Sequence, residues 1–389
     1  MRPSRPLVRQ GLWLAAAVGL VWLANRRTTA PLPDLIDWEK ARSLALAVAR
    51  RDHVPQFLIR PALVAQYTAR VRRCADLIAG YTGLTLPQAL EAVYVLDRSE
   101  WIDTNIENFR LLFAPLERLH RTASPVVTVG RRVAGLLNQA LLSGQIGVLL
   151  GYLARRVLGQ YDLALLGREP LTGGRLYFVE SNIAHLEHTL GLPGEDLRLW
   201  VSLHETTHAF EFEATPWLRE HLNRLLLTYI ETLAQDLFRL QTPEGLARLV
   251  ERAVQGLASA RHPVELMMSA EQRRLFWQLQ ALMSLLEGYS NHVMDRLGHD
   301  LLPSYHTLRA HFEARLWRRG VVERLFARLT GLDLKIEQYT WGERFVNSVV
   351  RERGLAFLNQ VWQGPDRLPT IEEIRDPARW IARLERGGT

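Results

Sequence analysis

Trp200-Val-Ser-Leu-His204-Glu205-Thr-Thr-His208-Ala-Phe-Glu211-Phe-Glu213 is the stretch on which the reading of this chain turns. On a helix, His204 and His208 stand at i and i+4 and project from one face about one turn apart. That spacing lets two imidazoles hold one Zn²⁺. Glu205, one residue on, is rotated away from the pair, where it can take a proton from a water on the metal instead of ligating it. The flanks support a helix. Pro193-Gly194 breaks the chain, and Glu195 and Asp196 then put negative charge into the first turn. Leu197, Leu199, Trp200 and Leu203 supply apolar packing positions. Thr215-Pro216 ends the helix and starts the next, with Pro216 at its first helical position. Upstream, Arg175-Leu-Tyr-Phe-Val179 is rich in β-formers and reads as a short strand leading to the histidine helix.

A catalytic zinc site usually takes three protein ligands and keeps one position open for water. Cys74 is the only cysteine, which excludes a cysteine-based site and any internal disulfide. It lies in a helical pattern and reads as a small core residue. In the extended pattern His-Glu-x-x-His-x-x-Gly-x-x-His the third ligand is a histidine, but Glu211 and Ala214 stand at those last two positions. The third ligand must then come from another helix. Glu287 and Glu231 are the candidates, with His292 and His299 as weaker ones. Glu287 is favoured. It follows the apolar stretch Ala281-Leu-Met-Ser-Leu-Leu286, where a lone carboxylate is costly to bury unless paired or bound to metal. Gly288 beside it costs helix propensity and signals close approach by another element. Asn291 and Asp295 follow at i+4 and i+8, and either is expected to hydrogen-bond a ligand histidine and fix its tautomer. Tyr289, His292 and Tyr339 are candidate donors to a developing oxyanion.

The remainder of the chain reads as helices. Apolar periodicity with Pro, Gly and Ser/Thr punctuation predicts them over 37–50, 61–79, 87–96, 103–119, 125–142, 216–240, 243–257, 269–297, 304–318, 320–329 and 335–353. Pro115 is expected to kink or end the fourth early. Ser269-x-x-Gln272 forms a candidate capping box. Residues 144–158, apolar and rich in glycine, are expected to pack inside. Strand signals are confined to 175–181 and, more weakly, 126–129. The fold class is therefore mainly α, with a minimal β-sheet beside the His-Glu-x-x-His helix.

With 389 residues, 48% apolar and 23% charged, the chain can bury a large core. Its net charge of +7 is dispersed, with no run of five or six like charges and no nucleic-acid motif, so no nucleic-acid partner is expected. Residues 1–33 form a separate segment. Arg2, Arg5 and Arg9 precede an apolar run over 11–24, which Arg26-Arg27 close. Fourteen residues is short of the ~20 needed for a full span. The run fits a signal-type segment or short anchor, so it is expected to tether the protein to a membrane, with a cytoplasmic protein as the alternative. Pro31-Leu-Pro33 reads as the linker to a single domain over 34–389.

Several segments together resemble a known family: Asp37-Trp38; Asp97-Arg98 with Trp101, Asn105 and Phe109; Gly159-Gln-Tyr-Asp162; the histidine helix with Pro216-Trp-Leu-Arg219; Met283-Ser-Leu-Leu-Glu-Gly288 with Val293-Met-Asp295; and Gln338-Tyr339 with Gly342-Glu-Arg-Phe345. The chain resembles an uncharacterised bacterial zincin-like family labelled as zinc-dependent metalloproteases, and also as associated with deazaflavin-cofactor biosynthesis. The likeness spans about residues 35–385. It implies a zincin-like helical domain and adds weight to Glu287, on which the family's Glu-Gly segment falls. The expected function is zinc-dependent hydrolysis of an amide bond in a peptide or protein. Zn²⁺ would sit on His204, His208 and Glu287, with Glu205 as general base. The rival expectation is a non-catalytic zincin-like binding or scaffold protein.

Overall fold

The computed structural model describes residues 26–50, 61–122, 127–162, 174–239, 268–317 and 333–387. Helices carry most of them: α1 (Trp38–Ala49), α2 (Pro61–Thr82), α3 (Arg98–Thr122), α4 (Val129–Ala154), α5 (Glu180–Leu190), α6 (Gly194–Glu213), α7 (Pro216–Arg239), α8 (Ala270–Leu301), α9 (Tyr305–Trp317), α10 (Asp333–Arg353), α11 (Leu355–Leu358), α12 (Ile371–Arg375) and α13 (Pro377–Gly387). Three strands, β1 (Val93–Leu96), β2 (Gly159–Asp162) and β3 (Arg175–Val179), make one sheet of order β1-β3-β2. The class is mainly α with a minimal sheet, as the sequence indicates. The predictions over 11–24, 243–257 and 320–329 fall outside the described residues.

Contacts divide the chain into two compact units, a finer division than one body over 34–389. One comprises Met1–Asp52 and Ile102–Arg155, the other His53–Trp101 and Arg156–Thr389. In the first unit, α1 lies along the C-terminal half of α4. Two glycines of α4 permit this. A Cβ at Gly147 would lie 2.6 Å from the Ala41 carbonyl oxygen, and one at Gly151 2.6 Å from that of Ala45. The Asp37 amide, at the N-cap of α1, donates to Ser143 Oγ at 2.8 Å. Residues 125–142 and 144–158, read as separate segments, lie largely in the single helix α4, which Gly144 does not interrupt. The weak strand signal near 128 amounts to one bridge between Arg27 and Thr128. Pro115 neither ends nor shortens α3, which runs on to Thr122.

In the second unit, β3 is the central strand, parallel to β1 and antiparallel to β2, with Val95 and Gly159 both opposite Phe178. The helix expected over 87–96 is instead a loop and then β1. Val93-Tyr-Val-Leu96 is β-branched and aromatic, and β3 offers it a ladder, so pairing overrides the helical pattern. A short helix not foreseen, α5, separates β3 from the histidine helix α6. Its first residue, Glu180, is buried between the Tyr67 hydroxyl and the Arg198 guanidinium, which ties β3 to α2 and α6. Around α6 the apolar core gathers Tyr67, Phe178, Leu197, Leu203, Phe210, Leu285, Phe345 and Trp380. Gly288 makes the close approach its sequence signals. A Cβ there would lie 2.3 Å from the backbone of Gly342 on α10, and one on Gly342 would lie 1.9 Å from the Ser284 carbonyl oxygen.

Candidate metal centre

Helix α6 is buried on nearly every side. From Val201 to Phe212 only His204 and His208 are not buried. Leu197 and Leu203 fix the helix in the core, and Trp200 stacks on Phe312. The histidine pair faces α8, which brings Glu287 to it. Donor atoms of His204, His208 and Glu287 all lie within 4.8 Å of one another. Among the described residues this is the only grouping of three or more His, Cys, Asp or Glu side chains suited to a metal.

The geometry fits a small tetrahedral cation. The two Nε2 atoms are 3.3 Å apart, and His204 Nε2 lies 3.7 Å from a Glu287 carboxylate oxygen. Two nitrogens at ~2.0–2.1 Å from one tetrahedral ion are separated by about 3.3–3.4 Å. Each histidine is oriented through its other nitrogen. His208 Nδ1 lies 2.8 Å from a Glu211 carboxylate oxygen, which accepts from it when the carboxylate is ionised. His204 Nδ1 lies 3.1 Å from Ser290 Oγ, and that hydroxyl donates to the His204 carbonyl oxygen at 3.2 Å. With that proton on the carbonyl, Nδ1 can donate to Ser290 Oγ. With both imidazoles neutral, their Nε2 lone pairs would point at one place, where a cation would sit between them.

The charge set suits a dication. Burial works against an imidazolium at His208, but Glu211, Glu287 and Glu205 outweigh it and push the pKa up to about 9. Burial pushes the Glu211 carboxyl up to about 7, against the pull of His208. Without a metal, this pair holds a proton that a divalent ion would displace.

Glu205 is 7% exposed, and its carboxylate lies close enough to act on His208. Its side chain is met by strand β2. A Cβ at Gly159 would lie 2.5 Å from Glu205 Cγ. The strand is held there by Tyr161, whose hydroxyl donates to Glu213 at the end of α6, while Arg219 from α7 binds the same carboxylate at 2.7 Å. The Gly174 amide also donates to Glu213, at 2.7 Å.

The other sequence candidates are placed elsewhere. Glu231 is exposed on α7 and lies outside the donor cluster. Asp295 does not support a histidine; it accepts from the Tyr305 hydroxyl at 2.9 Å and pairs with Arg309. It shares a helix face with Glu287, but eight residues along α8 is a climb of ~12 Å. Asn291 is half-buried on the same helix, and the hydrogen bond from α8 to His204 is made by its neighbour Ser290. His292 is engaged at both nitrogens, by Tyr81 at 2.8 Å and Asn347 at 2.7 Å. His299 is exposed beside Asp300. Tyr289 is fully buried with its hydroxyl on Asn359. The side chain of Tyr339 lies outside the described residues.

Three contributors escaped the sequence reading: Glu211, Ser290 and Gly159. Glu211 carried a visible signal. It stands alone between Phe210 and Phe212, the same lone-carboxylate pattern that singles out Glu287.

A helical zincin with a His-His-Glu centre is the class that fold and site together define. The chain belongs to the zincin-like metallopeptidase family, which matches residues 36–381. Among solved structures it is similar to a protein from Chloroflexus aurantiacus described as "a putative hydrolase with a novel fold". The two are 41% identical, with a TM-score of 0.67, over 90% of this chain and 99% of that one. No curated protein matches the chain. Family and neighbour agree on hydrolase chemistry, and the family implies a metal.

Proposed function

We propose that this chain is a zinc-dependent metallopeptidase that hydrolyses amide bonds of peptide or protein substrates. The observation that carries the reading is the convergence of His204, His208 and Glu287, each histidine oriented through Nδ1, with Glu205 buried beside them. His204, His208 and Glu287 hold Zn²⁺, which when bound supplies a Lewis acid and makes water more acidic. Glu205 takes a proton from the attacking water. As the C–N bond breaks, it returns that proton to the leaving amine, so the carboxylate is regenerated. Burial of Glu205 and its contact with Gly159 fix its direction and limit competing water. A membrane tether through residues 11–24 belongs to the same reading.

The test is metal analysis of the purified protein, followed by peptide-library cleavage by wild type and Glu205→Gln. One zinc per chain is expected in both. Cleavage by the variant should be lower by about 10²-fold or more. Equal cleavage by both, or none by zinc-loaded wild type, would move the reading to a non-catalytic scaffold.

A further inference from the structure

The first unit carries an apolar surface that the proposed hydrolase chemistry does not use. Along the N-terminal half of α4, Val133, Leu136, Leu137 and Leu141 are exposed by 52%, 47%, 69% and 59%. They stand at i, i+3, i+4 and i+8, which is one stripe of a helix, while Asn138 and Gln139 occupy the other side. A contiguous exposed stripe of this kind marks an interaction site, unlike scattered surface leucines. Helix α4 is long and apolar enough to cross a membrane by length and composition. Its C-terminal half, however, is fastened to α1 through Gly147, Gly151 and Ser143. Only the N-terminal half is left to meet a partner, so it can lie on a bilayer but not cross one.

Charge selects the partner. The stripe begins beside the exposed cations Arg131 and Arg132. The bridge between Arg27 and Thr128 brings Arg26 and Arg27 to the same end of α4. No acidic residue occurs in α4 or in the chain before Asp34. Neither a second copy of this face nor the apolar run 11–24 offers acids to such a cluster, whereas anionic headgroups do. In sequence, the run 11–24 is followed by the same Arg26-Arg27 pair.

We propose that the N-terminal half of α4 is an interfacial helix that seats Val133, Leu136, Leu137 and Leu141 in a bilayer bearing anionic headgroups. The stripe is thus a second membrane contact, beyond the tether read from residues 11–24.

The test uses the full-length protein carrying Leu137→Cys with a polarity-sensitive fluorophore. Cys74 is fully buried and does not compete for the label. Leu141→Cys repeats the reading, and near-UV circular dichroism checks the fold of each. In buffer the probe should report water at every protein concentration. Phosphatidylcholine–phosphatidylglycerol vesicles should shift it to the blue, and spin-labelled acyl chains should quench it. Arg131→Gln with Arg132→Gln should weaken that partition by about tenfold or more. The proposal is overturned by an unshifted probe on vesicles that do bind the protein, since binding would then come from residues 11–24 alone. It is equally overturned by no vesicle binding, by a blue-shifted probe in dilute buffer, which would place residues 11–24 on the stripe, or by a shift that follows protein concentration, which would place a second copy there.

Discussion

His204 and His208 owe their direction to partners on their far sides, and this is where single substitutions bite. Glu211 is fully buried and serves His208 Nδ1. Glu211→Gln keeps the shape but exchanges a carboxylate for an amide, and should weaken zinc affinity by about 10–100-fold in a chelator competition. Unchanged affinity would show that the contact orients nothing. Gly159→Ala acts on the base instead. Its new Cβ would fall 2.5 Å from Glu205 Cγ, so the carboxylate must move while the three ligands stay. Full zinc content with reduced turnover is expected; loss of zinc would show that β2 supports the ligands and not the base. The pentapeptide and Glu287 were legible because helical spacing and the cost of a buried carboxylate are local facts. Asp295 was misjudged because a helical wheel shows direction and hides height. Ser290 and Gly159 carry no sequence signal of their own, since a serine on a helix and a glycine in a strand are common for many reasons.

At the scale of elements, the position of Glu287 depends on how α8 meets α10. Gly288 and Gly342 let the two backbones touch, and Gly342→Ala would place a Cβ 1.9 Å from the Ser284 carbonyl oxygen. Backbone cannot yield as a side-chain tip does, so this overpacking should cost about 1–3 kcal/mol or more. It should appear as a lower urea midpoint together with weaker zinc binding, because Glu287 lies on the displaced segment. An unaltered midpoint would mean that the helices slide apart freely. Gly288 announced this contact in the sequence, whereas its partner did not. The long helices were legible from periodicity and caps, and the Ser269–Gln272 capping box forms as read. Strand β1 was not, because four apolar residues fit either pattern and the decision belongs to β3, remote in sequence. Pro115 misled because a proline costs a helix one hydrogen bond but does not forbid it.

At the scale of the whole molecule, the one thiol, Cys74, is fully buried in the apolar core. Burial pushes the Cys74 thiol up to about 12. At pH 8 it stays protonated in the folded protein, and iodoacetamide should leave it unmodified, while one alkylation per chain should follow unfolding in guanidinium. Rapid alkylation of the native protein would show that the core around α2 opens readily. The two-unit division was not legible, because it depends on contacts between segments far apart in the sequence. The central claim joins one helix, one glutamate from another and one ion, and diffraction from zinc-loaded crystals at the zinc absorption edge tests it most directly. The account predicts a single anomalous peak at ~2.0–2.2 Å from Nε2 of His204, Nε2 of His208 and the carboxylate of Glu287, with a fourth position open to solvent. A peak elsewhere, or a fourth position filled by a protein side chain, would contradict it.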